Sequence, residues 1–248
     1  MSRFNGKTAL VTGGGAGIGL SIALTLAKEG ANVIITGRSE SSLVDATSAH
    51  NKITTIVADV GKSSDVSRVM EFIKKDFGRL DILINNAGMA PITTLSEQTL
   101  TEFDDVFNIN VRAVVDLSSR ALPLLKESKG CIINISSAVA NRPLPGMSVY
   151  CASKAALKTL TFVWAKELAQ EGIRVNSVAV GPIETQIYEK TELSDDAAQA
   201  HKDRVTQLVP LGHFGLPRDI ASVVAYLASD DACFITGSDI AVDGGFSI

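Results

Sequence analysis

Residues 7–29 do most to restrict what this chain can become. Lys7-Thr8-Ala9-Leu10-Val11-Thr12 is a short apolar, β-prone run. Gly13-Gly14-Gly15-Ala16-Gly17-Ile18-Gly19 follows at once, and then Leu20 to Glu29 with Ile22, Leu24, Leu26 and Ala27 at helical spacing. No polar spacer separates the three parts, so a flexible linker is a poor reading of the glycines. A strand, a glycine turn and a helix in direct succession aim backbone N–H groups and a positive helix end at one point, which suits the pyrophosphate of a dinucleotide. The strict G-x-G-x-x-G spacing is absent. What stands here is Thr12-Gly13-x-x-x-Gly17-x-Gly19.

The same alternation runs to the end of the chain. Strands are expected at Thr8–Thr12, Asn32–Thr36, Thr54–Ala58, Ile82–Asn85, Gly130–Ser136, Arg174–Val180 and Ser238–Val242. Helices are expected at Gly17–Glu29, Glu40–Ala49, Ser64–Phe77, a broken pair across Leu100–Lys126, Val149–Gln170 and Pro217–Ala228. This is the pattern of an α/β fold, a Rossmann-like doubly wound and mainly parallel seven-stranded sheet with helices on both faces. Its 248 residues suit one domain, 1–248, that binds a dinucleotide and carries the chemistry. Ligands in such sheets bind beyond the carboxyl ends of the strands, where strand order reverses. Only Glu184–Pro210 breaks the rhythm. Connections that long are usually functional, and a substrate lid at about 184–210 with one or two short helices is expected there.

Composition excludes several classes. Hydrophobic residues make up 46% and charged residues 20%, enough apolar material for a buried parallel sheet. A net charge of -4 gives no reason to expect nucleic acid or an anionic membrane as partner. Met1 to Gly6 carry no basic and apolar leader, and no apolar run is long enough to span a bilayer, so a cytoplasmic location is expected. Cys131, Cys151 and Cys233 are odd in number and far apart, which suits reduced thiols. His50, His201 and His213 are equally scattered, and no metal is expected to be required.

Tyr150 and Lys154, in Ser148-Val149-Tyr150-Cys151-Ala152-Ser153-Lys154, stand one helical turn apart on one face. A free tyrosine titrates near ~10, so bringing it close to neutral takes roughly three units, or about 4 kcal/mol of preferential phenolate stabilisation. A nearby cation supplies a shift of that sign. The pair is therefore a candidate proton-transfer catalyst.

Taken in order, these motifs resemble the short-chain dehydrogenase/reductase family in its single-domain form, over the whole chain. Thr12-Gly13-x-x-x-Gly17-x-Gly19 looks like the family's cofactor loop, which places Gly13, Gly15, Gly17, Ile18 and Gly19 at the cofactor. Asp59-Val60 looks like its adenine-contacting pair, and Asn85-Asn86-Ala87-Gly88 is similar to the motif closing the fourth strand, with Asn86, Ala87 and Gly88 at the cofactor. Asn110 corresponds to the asparagine of the family's catalytic tetrad. Ser137 corresponds to its serine, selected over Ser136 by the step to Tyr150, and Tyr150 and Lys154 complete the set while also meeting the cofactor. Ile235-Thr236-Gly237 through Gly245 looks like the family's closing strand. Where the family often carries Pro-Gly after the sixth strand, this chain has Val180-Gly181-Pro182-Ile183-Glu184-Thr185, with one proline restraint fewer. Gly181, Ile183 and Thr185 remain the expected cofactor contacts there.

The resemblance implies reversible hydride transfer between a nicotinamide and a carbonyl carbon. Tyr150 would act as general acid or base, and Lys154 would hold ribose hydroxyls and, with the positively charged nicotinamide in the oxidised complex, lower the tyrosine pKa. Ser137 would hydrogen-bond the substrate oxygen, and Asn110 would support a proton-refilling water chain. An acidic residue after the second strand would select NAD and an arginine NADP. Thr36-Gly37-Arg38 puts glycine at the acidic position and Arg38 next, so NADP(H) is expected, with NAD the less favoured cofactor. Substrate contacts are expected from Ser137, Val139, Met147, Tyr150 and Ile187, with Met89, Leu144 and Tyr188 as further walls, and their apolar character suits a hydrophobic ketone. A 3-oxoacyl-(acyl carrier protein) reductase is an alternative, although Glu171 presents a carboxylate where an acidic carrier would want a cation. A nicotinamide-binding sensor without turnover would have no use for Tyr150 and Lys154. An extended sugar-nucleotide epimerase would want a longer chain. Leu157, Leu160, Phe162, Val163, Trp164 and Leu168 spread apolar surface round one helix, so a homo-oligomer is expected, and the resemblance suggests a tetramer.

Overall fold

In the computed structural model, which describes residues 2–185 and 195–248, seven strands form one sheet in the order β3-β2-β1-β4-β5-β6-β7. The strands are β1 (Thr8–Thr12), β2 (Asn32–Gly37), β3 (Ile53–Val57), β4 (Ile82–Asn85), β5 (Cys131–Ser137), β6 (Arg174–Val180) and β7 (Asp239–Val242). Every pairing is parallel. All five residues of β1 and all seven of β5 are buried, as strands covered on both faces must be. Strand order reverses between β1 and β4, which opens a crevice at their carboxyl ends.

Two layers of helices cover the sheet: α1 (Gly17–Lys28), α2 (Glu40–Ala49), α3 (Ser63–Asp76), α4 (Leu100–Phe107), α5 (Ala113–Ser128), α6 (Ser148–Leu168), α7 (Asp195–Thr206) and α8 (Pro217–Ala228). Alternate residues of the strands feed the two cores. Val11, Ile35, Ile84 and Ile133 pack with α1 and α8, whereas Leu10, Ile34, Leu83 and Ile132 pack with α3 and α5. Expected element boundaries hold to within one or two residues. The break expected within Leu100–Lys126 is a π turn at Asn108–Arg112, a distortion common at functional sites.

A buried polar chain ties the sheet to the second layer directly beneath the crevice. Asn85 Nδ2 donates to Ser118 Oγ at 3.0 Å and to Asn134 Oδ1 at 2.8 Å, and Asn134 Nδ2 donates to Thr161 Oγ1 at 2.9 Å. With each amide partnered, burial costs little and the relative heights of β4, β5, α5 and α6 are fixed. Of the connection expected over 184–210, the helix α7 and the segment leading to Pro210 are described. Ile187 and Tyr188, expected to wall the substrate, lie outside the described residues.

Candidate active site

The glycine turn after β1 is shaped by contacts that exclude side chains. Gly13 and Gly17 take left-handed backbone conformations, at φ +64° and +53°. A Cβ on Gly19 would lie 2.5 Å from Asn86 Nδ2 and closer still to the Gly13 carbonyl oxygen. Asn86 itself clamps the turn, donating to Thr12 O at 2.8 Å and Gly13 O at 3.2 Å. Thr12 Oγ1 accepts from the N–H groups of Asn86 at 2.9 Å and Ala87 at 3.0 Å. Asn86 and Ala87, expected at the cofactor, therefore also build its cradle. Thr12 is a positioning residue that the motif contained and the sequence reading left without a role. A polar residue closing a strand against glycines was the available signal.

The first turn of α1 has no acidic residue and its N-terminal residue Ala16 offers no capping side chain. Its leading N–H groups are thus open to an anion. Thr185 Cγ2 lies 3.5 Å from where a Cβ on Gly17 would be, at the same helix end. A Cβ on Gly181 would come within 2.5 Å of Asp243 Cβ, so this glycine lets the exits of β6 and β7 pack together. Ile183 is buried and bridges to Gly215. Asp59 Oδ1 accepts from Gly61 N at 3.0 Å, and with Val60 it follows the carboxyl end of β3. Arg38 is exposed just beyond β2 and makes no hydrogen bond or ion pair with the described residues. Gly37 beside it has its would-be Cβ 3.4 Å from the Leu43 side chain. A cradle of glycines, an open helix end and an uncommitted guanidinium match the pyrophosphate and adenosine half of a nicotinamide dinucleotide.

The four residues expected to be catalytic converge at the other half of the crevice. Ser137 closes β5, and Tyr150 and Lys154 stand on α6, with Lys154 Nζ 5.8 Å from the centroid of the tyrosine ring. Ser137 Oγ donates to Val180 O at 3.4 Å and accepts from Val139 N at 3.4 Å. Lys154 is buried and donates to Ile135 O at 2.7 Å. Asn110, on the π turn, accepts from Met89 N at 2.8 Å and donates to Met89 O at 2.9 Å and Ser153 Oγ at 3.0 Å. Ser153 Oγ passes on to Tyr150 O at 2.7 Å. The Asn110 amide is therefore spent on fixing the loop after β4 against α6, and Ser153 is a second positioning residue absent from the sequence reading. A Cβ on Gly88 would meet Asn110 Oδ1 at 3.2 Å and Lys154 Nζ at 3.6 Å, so glycine is what lets these groups meet.

In the chain without cofactor, burial pushes Tyr150 above its ordinary value, with the nearby Ser137 hydroxyl opposing. Burial also pulls Lys154 down to about 8. The phenol thus stays protonated at neutral pH. Around it Val139, Cys151, Val209 and Phe246 are buried, with Leu144, Met147 and Leu208 packed against them. Val139 and Met147 thus stand where substrate walls were expected, and the surroundings are apolar.

An open parallel sheet with a glycine cradle at its switch point and a Ser-Tyr-Lys group beside it defines a dinucleotide-dependent oxidoreductase. The family model described as enoyl-(acyl carrier protein) reductase matches residues 13–247. A 3-oxoacyl-(acyl carrier protein) reductase of Thermotoga maritima is 38% identical across 99% of this chain and 100% of its own length. An uncharacterized oxidoreductase of Methylorubrum extorquens is 39% identical over 99% of both. Among solved structures, a mutant Serratia marcescens short-chain dehydrogenase/reductase superposes with a TM-score of 0.91 at 36% identity, covering 99% of this chain and 100% of that one. A 3-ketoacyl-(acyl carrier protein) reductase of Brucella melitensis complexed with NADH gives 0.92 at 32% identity, again over 99% and 100%. This chain belongs to the short-chain dehydrogenase/reductase family. It is a nicotinamide-dependent oxidoreductase acting between CH–OH and C=O groups.

Proposed function

We propose that this enzyme reduces a ketone bearing a hydrophobic substituent, with NADP(H) as cofactor and Tyr150 as the proton donor. The observation that carries the reading is the meeting of Ser137 at the end of β5 with Tyr150 and Lys154 on α6 beside an apolar pocket. The cofactor, when bound, supplies or receives the hydride at its nicotinamide. Tyr150 gives its phenolic proton to the developing alkoxide, and Ser137 holds the substrate oxygen within reach. Lys154 has N–H groups left over from its bond to Ile135, and these can hold a ribose hydroxyl of the cofactor. Asn110 keeps the β4 loop and α6 in register, so that Gly88 and Lys154 face each other. Arg38 supports NADP(H): an exposed, uncommitted guanidinium after β2 suits a 2′-phosphate. Leu208 and Val209, packed among Tyr150 and Met147, support a substrate-covering role for the connection over 184–210.

A 3-oxoacyl thioester is the more specific substrate reading, in line with the relatives of that printed name. The Glu171 carboxylate, which counted against an acidic carrier, is paired with Lys126 at 2.6 Å and so offers less repulsion. Exposed Leu100, Phe103, Val115 and Val163 on α4, α5 and α6 support a homo-oligomer, with a tetramer as the favoured state. No helix among the described residues is long and apolar enough to cross a membrane, and three free thiols fit a cytoplasmic setting. The test is a panel of ketones, β-keto esters and 3-oxoacyl thioesters with NADPH and NADH, followed by absorbance of the reduced cofactor. Turnover with NADPH is expected to exceed that with NADH. Cofactor binding without oxidation of NADPH by any carbonyl would overturn the proposal in favour of a sensor.

A further inference from the structure

The last residues of the chain reach back into the site from an unexpected direction. Past β7 the backbone turns through Gly244 and Gly245, both left-handed, at φ +62° and +88°. Asp243 holds this hook closed: its carboxylate accepts from Gly245 N at 2.9 Å, Ser247 N at 3.0 Å and Ser247 Oγ at 2.5 Å. The hook delivers Phe246 to the pocket, where it is 2% exposed among Val139, Cys151 and Val209.

Arg142 engages Phe246 twice. Its Nη1 donates to the Phe246 carbonyl at 2.6 Å, and its guanidinium carbon lies 5.4 Å from the centroid of the phenyl ring. Arg142 also donates from its backbone N to Ala138 O at 2.9 Å, so it is bound to the turn that immediately follows Ser137. On its other side the hook supports the end of the long connection. Leu211 N donates to Gly244 O at 3.1 Å, and a Cβ on Gly244 or Gly245 would meet Val209 at 2.7 Å or Pro210 at 2.9 Å. Two walls of the pocket that are distant in sequence therefore rest on one hook.

We infer that the C-terminal hook is a positioning element for substrate, in which Arg142 and Phe246 set the spacing between the turn after Ser137 and the segment at Val209. The inference rests on the reading of this pocket as the ketone site. Among the described residues Arg142 and Phe246 make no hydrogen bond to the cofactor cradle or to the Tyr150 side chain, so their effect falls on how a ketone is seated. It grows with the size of the substituent that must pass between the two walls.

Two measurements on the full-length protein test this. In the first, Arg142→Met, Arg142→Lys and Phe246→Ala are compared with wild type for a small and a bulky ketone. Arg142→Met removes a half-buried charge-assisted bond, and KM for the bulky ketone should rise about tenfold, with kcat and NADPH affinity changed less than about twofold. Arg142→Lys, which keeps a donor for the Phe246 carbonyl, should recover most of that loss. In the second, hydrogen exchange is followed by peptide mass spectrometry without any substrate. Exchange over 138–147 and 208–212 should quicken together in Arg142→Met and Phe246→Ala, while β1 and α1 stay as in wild type. This arm reads the hook even if the ketone assignment fails. A lowered Tm with unchanged KM in folded enzyme would reduce Arg142 to a structural residue. Exchange that quickens in one segment only, or in neither, would overturn the coupling.

Discussion

Adding one methyl group to Gly19 is the most searching test of the cofactor cradle. In Gly19→Ala the new Cβ would stand 2.5 Å from Asn86 Nδ2 and nearer to the Gly13 carbonyl, against an ordinary contact beyond 3.4 Å. The carbonyl is part of a left-handed turn and the amide is bonded to Thr12 O and Gly13 O, so neither is the loose end of a flexible chain. Overpacking of this kind costs about 1–3 kcal/mol, and loss of a clamping hydrogen bond about 1 kcal/mol more. A total of about 2–4 kcal/mol corresponds to a fall in Tm of roughly 4–16 °C for a domain of this size. Relief comes only by moving Gly13 or Asn86, which spoils the arrangement of N–H groups, so NADPH affinity should weaken at least about tenfold. The assays are thermal unfolding of apoenzyme and titration of NADPH fluorescence. Gly15→Ala is the control, since a Cβ there meets Ser42 Cβ at 3.2 Å and the effect should be several-fold smaller. If Gly19→Ala keeps wild-type Tm and NADPH affinity, the cradle is not built as described.

Three further outcomes are expected. Tyr150→Phe keeps the ring and removes the proton donor, so kcat should fall at least about a hundredfold with NADPH affinity little changed, read by steady-state kinetics and titration. Arg38→Ala should lower the ratio of kcat/KM for NADPH over NADH by about tenfold, the lower end for a charge-assisted bond because Arg38 is exposed. An unmoved ratio would make Arg38 a solvated loop residue. With Tyr150 raised and Lys154 lowered to about 8, the phenol stays protonated through neutral pH while the ammonium is lost as pH rises through about 8. Ketone-reduction kcat/KM should therefore hold level below that pH and decline above it, and a profile rising with pH there would contradict the assignment.

The strands were legible because burial on both faces favours apolar runs, and β1 and β4 are built on such runs at Ala9–Val11 and Ile82–Ile84. Tyr150 and Lys154 were legible because helical spacing alone brings them together. A break within Leu100–Lys126 was legible, but not that it is a π turn at Asn108–Arg112, since a shift of backbone hydrogen-bond register leaves no mark on hydrophobic periodicity. Nor was the direction of the tyrosine shift. It depends on desolvation by the pocket, and residues as distant as Val209 and Phe246 build that pocket. Arg142 reads as an ordinary loop cation until the chain end is folded beside it, 104 residues away.

Asn86 and Thr12 are joined across 74 residues, and this sets an order of events for a chain made from its amino terminus. The first βαβ unit can leave the ribosome with every glycine in place, yet the turn has no clamp until β4 and the residues behind it emerge. β1 is likewise paired on only one side until then. Contacts of such long separation form late and slowly. Capture of the cofactor is thereby withheld from nascent fragments, and a chain halted before β4 would neither sequester the nucleotide nor be rescued by it.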